Sequence, residues 1–423
     1  MSARRLFAAQ WHLAVATVEA VVAGGRSADR LLQSAFREQR KMGARDRALV
    51  TDLVYGVLRD LRRLQCIAGA AATAQQWCAL RALDAGIADA ARLAALGVAD
   101  ADVLARRLQC FDASRLTVAQ RFNVPDAIHA RWCTELGEPE TARLAQALMA
   151  QAPVDLRVNT LKATRDAAQS VLSAAGLDAR PTPYAPAGLR LQRRVALQPL
   201  SAFRDGWIEP QDEGSQLLAL LVAAQPGERI ADWCAGAGGK TLALAAQMQD
   251  RGELFAMDAD ARRLQRLLPR MQRAGAHCVR VLDPGAAPPG ALDAVLVDAP
   301  CSGSGTWRRQ PEARLKALDL AALSELQTQI LQRAADHVRP GGRLVYATCS
   351  LLHAENQGVV ARFLAMREDF ALDDAGRILA TQGVELPGRW LELYPHRHGT
   401  DGFFAAAMRR ADTSSACTRP SAR

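Results

Sequence analysis

Two cysteines in short polar segments are the residues of this sequence best suited to covalent chemistry. Residues 297–306 read VDAPCSGSGT, with Cys301 three residues after Asp298, and residues 346–350 read YATCS, with Cys349 near the end. Each segment begins at the end of an apolar run that is typical of a buried strand. Thiolates are strong nucleophiles, and a nearby carboxylate can stabilise charge that develops on a substrate. The three side chains together predict nucleophilic catalysis.

A glycine-rich loop indicates a ligand site. Residues 232–241 read DWCAGAGGKT, and glycines let a backbone turn tightly and approach a ligand where a helix begins. A phosphate-binding P-loop would need glycine at the position of Cys234, and a dinucleotide-binding loop would need glycine at the position of Thr241. S-adenosylmethionine, which has no pyrophosphate, fits the spacing. We expect it to contact Cys234, Ala235, Gly236, Ala237, Gly238, Gly239 and Lys240.

Three aspartates follow three successive predicted strands. Asp258 lies 20 residues after Gly238, where its carboxylate can accept hydrogen bonds from both ribose hydroxyls of the cofactor. Asp283 can bind the adenine amino group, and Asp298 is expected to contact both the cofactor and the substrate. Each aspartate taken alone is equally consistent with a capping residue. Because ligands of such sheets bind beyond the carboxyl ends of the strands, the three together favour a cofactor site.

A methyltransferase needs a thiolate when the acceptor is carbon 5 of cytosine or uracil. That carbon is a poor nucleophile until a thiolate adds to carbon 6, and loss of the carbon 5 proton after methylation frees the enzyme. Asp298 can hydrogen-bond to N3 and the exocyclic amine of the base. Buried packing is the alternative role for a free thiol. We assign it to Cys66, Cys78, Cys110, Cys133, Cys234 and Cys278.

From residue 206 onward, alternating strand and helix patterns predict an α/β fold with a doubly wound, mostly parallel sheet of seven strands. The last two strands are expected to close the sheet antiparallel. Because parallel strands end at one edge of a sheet, Cys301 and Cys349 should face one pocket. The predicted strands are 229–233, 254–257, 278–282, 294–297, 344–347, 390–393 and 403–408, and the predicted helices are 240–248, 261–274 and 321–337.

Two smaller regions precede this sheet. Residues 6–136 repeat apolar side chains at helical spacing, as at Leu49, Leu53 and Val57, which predicts an all-helical domain. Residues 153–203 combine short strands, one helix and several turn residues, which predicts a small α+β module. We therefore expect domains at 1–140, 141–205 and 206–410, followed by a disordered tail at 411–423.

Composition and charge indicate which class of partner the protein binds and in which compartment it works. The chain has 49% hydrophobic residues, a net charge of +9 and a pI near 9.4, which favours a polyanionic partner. Apolar runs are too short to span a membrane, and the basic amino terminus lacks a following apolar segment, so we expect a cytoplasmic protein without a membrane partner. Nine cysteines without a C-x-x-C pair, and histidines without metal-ligand spacing, predict no metal site.

Residues 37–63 carry a dense set of arginines around Lys41, with Asp46, Asp52 and Asp60 among them. A solvated helix face with internal salt bridges and an RNA-facing surface both fit this pattern.

The motifs of this sequence resemble those of the Nol-Nop-Sun family of RNA cytosine-5 methyltransferases. The resemblance covers residues 150–410 and rests on six motifs in the family's order: RVNTLK at 157–162, QDEGSQ at 211–216, CAGAGGKT at 234–241, DAPCSGSG at 298–305, TCS at 348–350 and DGFF at 401–404. The motifs KMGARDR at 41–47 and LVYGVLR at 53–59 resemble the NusB-like RNA-binding domain of the bacterial ribosomal small-subunit methyltransferase B branch.

The resemblance implies a Rossmann-like class I methyltransferase domain that uses S-adenosylmethionine. It also implies that Cys349 is the covalent nucleophile, that Cys301 assists product release, and that the substrate is RNA, with 16S ribosomal RNA favoured by the branch. Transfer RNA, DNA or protein substrates and a non-catalytic RNA-binding assembly factor are the alternatives, and segment 157–162 favours RNA. No obligate protein partner is evident. The sequence departs from the family at Gly236-Ala237, where many members have Ala-Pro, and after Glu312, where a tryptophan is common.

Overall fold

The computed structural model describes residues 6–24 and 27–412, which form two compact units. The helical unit consists of the described residues up to Gln151 together with Thr306–Leu318. The sheet unit consists of Ala152–Gly305 and the described residues from Asp319 onward. The tail that we predicted to be disordered lies outside the described residues from position 413 onward. Within the described ranges, no helix is both long and apolar enough to cross a membrane.

The described part of the helical unit is built from α-helices, which confirms the all-helical prediction for the amino-terminal region. Leu49, Leu53 and Val57 are all buried on one face of a single helix, as their spacing predicted. The helices are α1 (Ala8–Gly24), α2 (Ala28–Glu38), α3 (Ala44–Arg59), α4 (Leu61–Ala68), α5 (Ala74–Asp84), α6 (Ala90–Ala95), α7 (Ala101–Gln109), α8 (Val118–Arg121), α9 (Asp126–Leu136) and α10 (Glu138–Ala147), with short 3-10 helices at Ala113–Arg115 and Pro311–Leu315.

The segment Thr306–Leu318 belongs to the helical unit, although it directly follows the Cys301 motif in the chain. Arg314 in this segment is only 5% exposed. Its guanidinium donates hydrogen bonds to the carbonyl oxygens of Leu148 and Arg59, at 2.7 and 3.3 Å, and lies over the ring of Trp307. The departure from the family pattern after Glu312 therefore concerns a buried packing segment.

The small α+β module forms the first part of the sheet unit, and its prediction is confirmed. Its four strands pair antiparallel in the order β2-β3-β1-β4. Leu156, Leu172 and Leu189 lie in its core. The elements are β1 (Val154–Val158), α11 (Arg165–Ala174), β2 (Ala179–Pro181), β3 (Gly188–Leu191), α12 (Ser201–Arg204) and β4 (Ile208–Pro210).

The rest of the sheet unit alternates strands and helices. The strands are β5 (Arg229–Asp232), β6 (Glu253–Ala256), β7 (Val279–Val281), β8 (Leu292–Asp298), β9 (Val338–Thr348), β10 (Phe370–Leu372), β11 (Leu391–Leu393) and β12 (Phe403–Arg410). The helices are α13 (Glu213–Leu221), α14 (Gly239–Gln247), α15 (Ala261–Leu264), α16 (Leu267–Ala274), α17 (Leu320–Ala335), α18 (Gln357–Met366), α19 (Ala375–Thr381) and α20 (Pro395–His398), with 3-10 helices at Ser304–Thr306 and His353–Glu355.

These strands form one mixed sheet in the order β10-β12-β9-β8-β5-β6-β7, with β11 beside β12. The run from β9 to β7 is parallel, and β12 closes it antiparallel against β9, as predicted. The sheet has eight strands where we predicted seven. The strand that the sequence did not indicate is β10, a three-residue strand at the edge of the sheet.

The order of the strands creates a crevice. The chain moves from β5 to β6 and β7 on one side, then crosses to β8 and β9 on the other side. Ligands of doubly wound sheets bind at such a reversal, beyond the carboxyl ends of the strands. The side chains of β8 alternate between the hydrophobic cores on the two faces of the sheet. Leu296 packs on one face, and Val295 and Val297 pack on the other. Both faces are therefore covered, and the sheet edge at these carboxyl ends is left for a ligand.

One predicted helix is divided in the structure. We expected a continuous helix over 261–274, but α15 ends at Leu264 and α16 begins at Leu267. Pro269 lies in the first turn of α16. Because proline has no amide hydrogen, it cannot continue the hydrogen-bond pattern of a preceding helix, whereas the first turn of a new helix tolerates it.

Candidate active site

The predicted site residues all belong to the sheet unit and lie at or just beyond the carboxyl ends of five parallel strands. The glycine loop follows β5, Asp258 follows β6, Asp298 ends β8 and Cys349 follows β9. Asp283 lies two residues beyond the end of β7 and is exposed.

The two cysteines that were predicted to share a pocket are in contact. The Sγ atoms of Cys301 and Cys349 lie 3.4 Å apart, and both residues are free thiols that are partly exposed. Strands β8 and β9, which precede them, are parallel neighbours, with Asp298 opposite Ala347. The hydrogen bond with Cys349, followed by burial, raises the pKa of the Cys301 thiol well above its ordinary value. Cys301 therefore keeps its proton and can donate it in a hydrogen bond to the Cys349 sulfur.

Asp298 forms an ion pair with Lys240 across the crevice. Lys240 Nζ lies 2.7 Å from Asp298 Oδ2, and the two side chains are 11% and 29% exposed. Burial lowers the pKa of Lys240, but the charge of Asp298 and its hydrogen bond outweigh burial, so the pKa is raised above its ordinary value. The pair links the first turn of α14 to the strand that leads to Cys301. It also holds a carboxylate in place near the two thiols.

Asp258 shapes the glycine loop. Its Oδ2 accepts a hydrogen bond from the Gly236 backbone N–H at 2.9 Å, and its Oδ1 accepts one from the Asp260 N–H at 2.9 Å. The guanidinium of Arg263 lies 3.2 Å from Oδ2. Asp258 therefore connects the end of β6 to the loop after β5, which is where the ribose of a nucleoside cofactor is expected.

One glycine of the loop is required by packing. Gly238 adopts φ +83°, a left-handed conformation that side chains rarely adopt. A Cβ atom there would also lie 2.1 Å from the buried side chain of Leu267. The neighbouring Ala237, which with Gly236 stands where many family members have Ala-Pro, is partly exposed.

Asp232 was not among the predicted contact residues, although it opens the glycine-loop motif. The residue is 1% exposed, and its Oδ2 accepts a hydrogen bond from the Thr241 hydroxyl at 2.7 Å. Its Oδ1 is buried and has no hydrogen-bond partner within the described residues. Burial, with a smaller contribution from Asp298, raises the pKa of Asp232 to about 7. A signal existed in the sequence, since an acidic residue ends the first strand of the doubly wound sheet.

The loop and the carboxylates fit S-adenosylmethionine. A buried carboxylate oxygen without a partner among the described residues, on Asp232, can accept a hydrogen bond from a ligand that carries amino or hydroxyl groups. The backbone bends at Gly236 and Gly238, both with positive φ, directly before α14. Such a loop lets a nucleoside approach the main chain closely. Lys240 and Asp298 complete the rim of the crevice beside the thiols.

Two polar residues of segment 157–162, the segment that favoured RNA in the sequence, are turned toward the protein. Arg157 is 4% exposed and donates a hydrogen bond from Nε to Gln211 Oε1 at 2.7 Å. Asn159 is 2% exposed, and its side-chain amide donates to the carbonyl oxygens of Gly206 and Ala274. Arg157 and Asn159 hold the α+β module against the sheet and are too buried to contact RNA phosphates.

The arginine-rich segment 37–63 divides into two parts. Arg62 pairs with Asp126, and Arg63 pairs with Asp60 and Asp84, so this end of the segment carries internal salt bridges. Near the other end, the side chains of Arg37, Arg40, Lys41 and Arg45 are exposed. The salt-bridge interpretation therefore applies to Arg62 and Arg63, and an RNA-facing role for the exposed cations at the other end stays a prediction.

The remaining cysteines are only partly explained by packing. Cys78 and Cys278 are buried, as predicted, and Cys133 and Cys234 are partly buried. The prediction was wrong for Cys66 and Cys110, which are exposed. Within residues 6–24 and 27–412, no group of three or more His, Cys, Asp or Glu side chains is arranged to hold a metal ion.

Comparison with known proteins gives a consistent picture over most of the chain. Residues 219–409 match the family described as 16S rRNA methyltransferase RsmB/F, and residues 124–198 match the ferredoxin-like domain of RsmF/B-like methyltransferases. The chain is 32% identical to the probable ribosomal RNA small subunit methyltransferase B of Synechocystis sp., covering 86% of this chain and 92% of that protein.

Two further similarities extend over nearly the whole chain. The ribosomal RNA small subunit methyltransferase B of Erwinia tasmaniensis is 31% identical, covering 94% of this chain and 97% of that protein. The crystal structure of PH0851 is 26% identical and superimposes with a TM-score of 0.77, covering 95% of this chain and 99% of that one.

Proposed function

The chain belongs to the 16S rRNA methyltransferase RsmB/F family, and we propose that it methylates carbon 5 of a cytosine in 16S ribosomal RNA through a covalent adduct of Cys349. Family membership confirms the resemblance inferred from the six motifs. It makes the chain an S-adenosylmethionine-dependent rRNA methyltransferase. The observation that carries the proposed mechanism is the 3.4 Å contact between the sulfurs of Cys301 and Cys349 at the ends of two neighbouring parallel strands.

The two thiols have different roles in this mechanism. The Cys349 thiolate adds to carbon 6 of the cytosine, which makes carbon 5 nucleophilic. S-adenosylmethionine supplies the methyl group that carbon 5 receives. Loss of the carbon 5 proton then restores the double bond and expels the Cys349 sulfur. Cys301, whose raised pKa keeps it protonated, assists this last step by donating a hydrogen bond to the departing sulfur.

Asp298 and Lys240 orient the base and balance its charge. We assign to Asp298 the hydrogen bonds to N3 and the exocyclic amine of the cytosine, because it ends the strand that leads to Cys301. Its Oδ2 is already held by Lys240 at 2.7 Å. A carboxylate that is fixed before the substrate arrives stabilises the developing charge without reorganising during the reaction.

The cofactor would be held by the glycine loop and by three carboxylates. The loop residues Cys234–Lys240 are proposed to contact the cofactor through the main chain, and Asp258 to accept hydrogen bonds from the ribose hydroxyls. Asp232 adds its buried Oδ1 atom, which has no hydrogen-bond partner within the described residues and can accept a hydrogen bond from the cofactor. Asp283 is proposed to bind the adenine amino group from its exposed position beyond β7.

The helical domain is proposed to bind the ribosomal RNA, as the resemblance to NusB-like domains implies. The exposed basic side chains Arg37, Arg40, Lys41 and Arg45 support this role, because exposed cations can neutralise phosphates. We retain the domain boundaries at 140, 205 and 410 as functional divisions. We propose a cytoplasmic location, since that is where bacterial ribosomal RNA is made, and no obligate protein partner.

Mapping of 5-methylcytosine tests this function. RNA from a strain that lacks the gene is compared with RNA from its parent by bisulfite sequencing, and a plasmid copy of the gene serves as the control. The expected result is the loss of methylation at a 16S cytosine and its return with the plasmid. Loss confined to transfer RNA would assign the same chemistry to another substrate. Unchanged methylation of both RNAs would contradict the proposal.

A further inference from the structure

One buried carboxylate lies between the two cysteine loops. Glu355 is fully buried, and its Oε1 accepts a hydrogen bond from the Ser302 backbone N–H at 2.8 Å. Its Oε2 accepts a hydrogen bond from the Ser350 hydroxyl at 2.5 Å. Ser302 is the residue after Cys301, and Ser350 is the residue after Cys349. A single side chain therefore ties together the residues that follow both thiols.

A second buried side chain completes the hold on the Cys301 loop. Gln327 of α17 donates from Nε2 to Glu355 Oε1 at 3.0 Å and to the carbonyl oxygen of Pro300 at 2.9 Å. Pro300 and Ser302 are the two chain neighbours of Cys301. The Glu355–Gln327 pair thus fixes the main chain on both sides of this cysteine.

The Cys349 loop has an additional anchor of its own. Asn356 accepts a hydrogen bond from the Thr348 hydroxyl at 2.6 Å and donates one to the Ser350 carbonyl oxygen at 3.0 Å. These two residues flank Cys349. Loss of Glu355 would therefore leave Cys349 bracketed by Asn356, whereas the Cys301 loop would lose the acceptor of the Ser302 N–H. That loop would keep Gln327 at Pro300 and the Ser302 hydroxyl contacts with Ser304 and Ser350.

Burying a carboxylate costs free energy of folding unless hydrogen-bond donors compensate for the lost water. Here three donors, from Ser302, Ser350 and Gln327, converge on Glu355. The charge of Glu355 also contributes to the raised pKa of Cys301, after the hydrogen bond with Cys349 and burial. Glu355 therefore affects Cys301 in two ways: it holds the neighbouring Ser302 in place, and its charge favours the protonated thiol.

We propose that Glu355 is a positioning residue for product release, holding the Cys301 thiol against the Cys349 sulfur. The proposal rests on the roles that the proposed function gives to the two cysteines. In the release step the C5–H bond breaks and its proton passes to water. The electron pair forms the C5–C6 double bond, and the C6–S bond breaks with its pair remaining on Cys349. The Cys301 S–H stabilises that sulfur only if the two atoms stay in contact.

Single-turnover methylation by the full-length protein tests this role, with release followed separately as decay of the covalent protein–RNA band. Glu355→Ala should slow release by about tenfold or more while methyl transfer changes by less than about threefold. Glu355→Gln should restore release, because its amide oxygen can accept from Ser302 and its NH₂ group can donate to Ser350. Equal slowing of transfer and release, or no rescue by glutamine, would overturn the proposal.

A double mutant separates positioning from general damage. If Glu355 acts through Cys301, adding Glu355→Ala to Cys301→Ser should slow release by no more than about twofold beyond Cys301→Ser alone. A further tenfold slowing, on the order of 1.4 kcal/mol, would show that Glu355 acts elsewhere and would overturn the proposal. If Glu355→Ala releases RNA normally while Cys301→Ser traps it, the positioning role of Glu355 is refuted and the role of Cys301 stands. Failure of Cys301→Ser to trap RNA would instead refute the role of Cys301, and this proposal with it.

A shorter acid provides a second variant in case alanine prevents folding. Glu355→Asp keeps the charge but has one methylene fewer, so it cannot reach Ser302 and Ser350 together. Thermal unfolding and cofactor affinity establish that this variant is folded. It should show the same release defect as alanine, and normal release by a folded aspartate variant would contradict the proposal.

Discussion

The ammonium group of Lys240 lies 2.7 Å from Asp298 Oδ2 and joins the helix after the glycine loop to the strand that leads to Cys301. The ion pair connects the proposed cofactor site to the proposed base site. Removing the cation leaves a partly buried carboxylate without its partner, next to the buried Asp232.

Lys240→Met should therefore lower the single-turnover methylation rate by about tenfold or more, because Asp298 would lose its orientation and its counter-charge. Lys240→Arg should recover part of the rate. Lys316→Met, at an exposed lysine of the helical unit, is the control and should leave the rate at saturating RNA unchanged. A methionine variant with the wild-type rate would remove Lys240 and its ion pair from the mechanism.

Asp258→Ala should weaken binding of S-adenosylmethionine by about 1 to 3 kcal/mol, since the ribose hydroxyls lose a charged acceptor and the Gly236 N–H loses its anchor. RNA affinity should hardly change. Asp293→Ala is a matched control, because this aspartate pairs with Arg339 near the opposite end of β8. Calorimetry that finds unaltered cofactor affinity in folded Asp258→Ala would refute the ribose assignment.

Asp232 links stability to pH. Its folded-state pKa of about 7 lies above the ordinary value of 3.8, so the folded protein binds this proton more tightly than the unfolded chain does. The resulting stabilisation is complete at low pH and is lost as pH rises through 7. Asp232→Asn removes the titration. Between pH 5 and 8 the asparagine variant should gain about 3 kcal/mol relative to the wild type.

Urea denaturation of the cofactor-free protein at the two pH values measures this difference. The same variant should bind S-adenosylmethionine more weakly at pH 8, because the free oxygen of Asp232 is replaced by an amide. A constant stability difference across this pH range would show that Asp232 is ionised throughout, and unchanged cofactor affinity would remove it from the cofactor site.

Most of the catalytic fold was predictable from the sequence because each parallel strand is an apolar run followed by chemistry-bearing residues. The order of Asp258, Asp298 and Cys349 along the chain therefore indicated which strand ends lie together. The ion pair of Lys240 with Asp298 was not predictable, since 58 residues separate them and neither motif implies the other.

Long-range packing accounts for what the sequence did not reveal. The sequence does not indicate that Arg314 is buried, because its hydrogen-bond acceptors include the carbonyl oxygen of Leu148, which lies 166 residues away. Arg157 lies in a motif that favoured an RNA substrate, but its side chain is buried against Gln211, 54 residues away. Local periodicity carries no information about such contacts. Glu355 was similarly visible only as a residue near a helix start.

The exposed basic residues of segment 37–63 should supply part of the RNA affinity. Phosphate contacts release counterions, so removing one such contact should reduce the slope of log affinity against log salt by about 0.7 to 0.9. The test is a full-length variant in which glutamine replaces Arg37, Arg40, Lys41 and Arg45. Filter binding over a range of salt concentrations measures the slope, and cofactor affinity should be unchanged.

The control for this variant replaces Arg115 and Arg143 with glutamine, because these exposed arginines of the helical unit already pair with Asp112 and Glu140. Its salt slope should equal that of the wild type. Equal slopes for the two variants would show that segment 37–63 is a solvated face without a role in RNA binding.

Trapping of RNA by the two cysteine variants tests the central claim most directly. Cys349→Ser should abolish methylation, because a neutral hydroxyl is a far weaker nucleophile toward carbon 6. Cys301→Ser should methylate but release so slowly that a ribonuclease-sensitive protein–RNA band accumulates on a denaturing gel. This band should require S-adenosylmethionine and be absent when Cys301→Ser is combined with Cys349→Ser. A band from Cys349→Ser instead would reverse the two roles, and normal turnover by both single variants would contradict covalent catalysis.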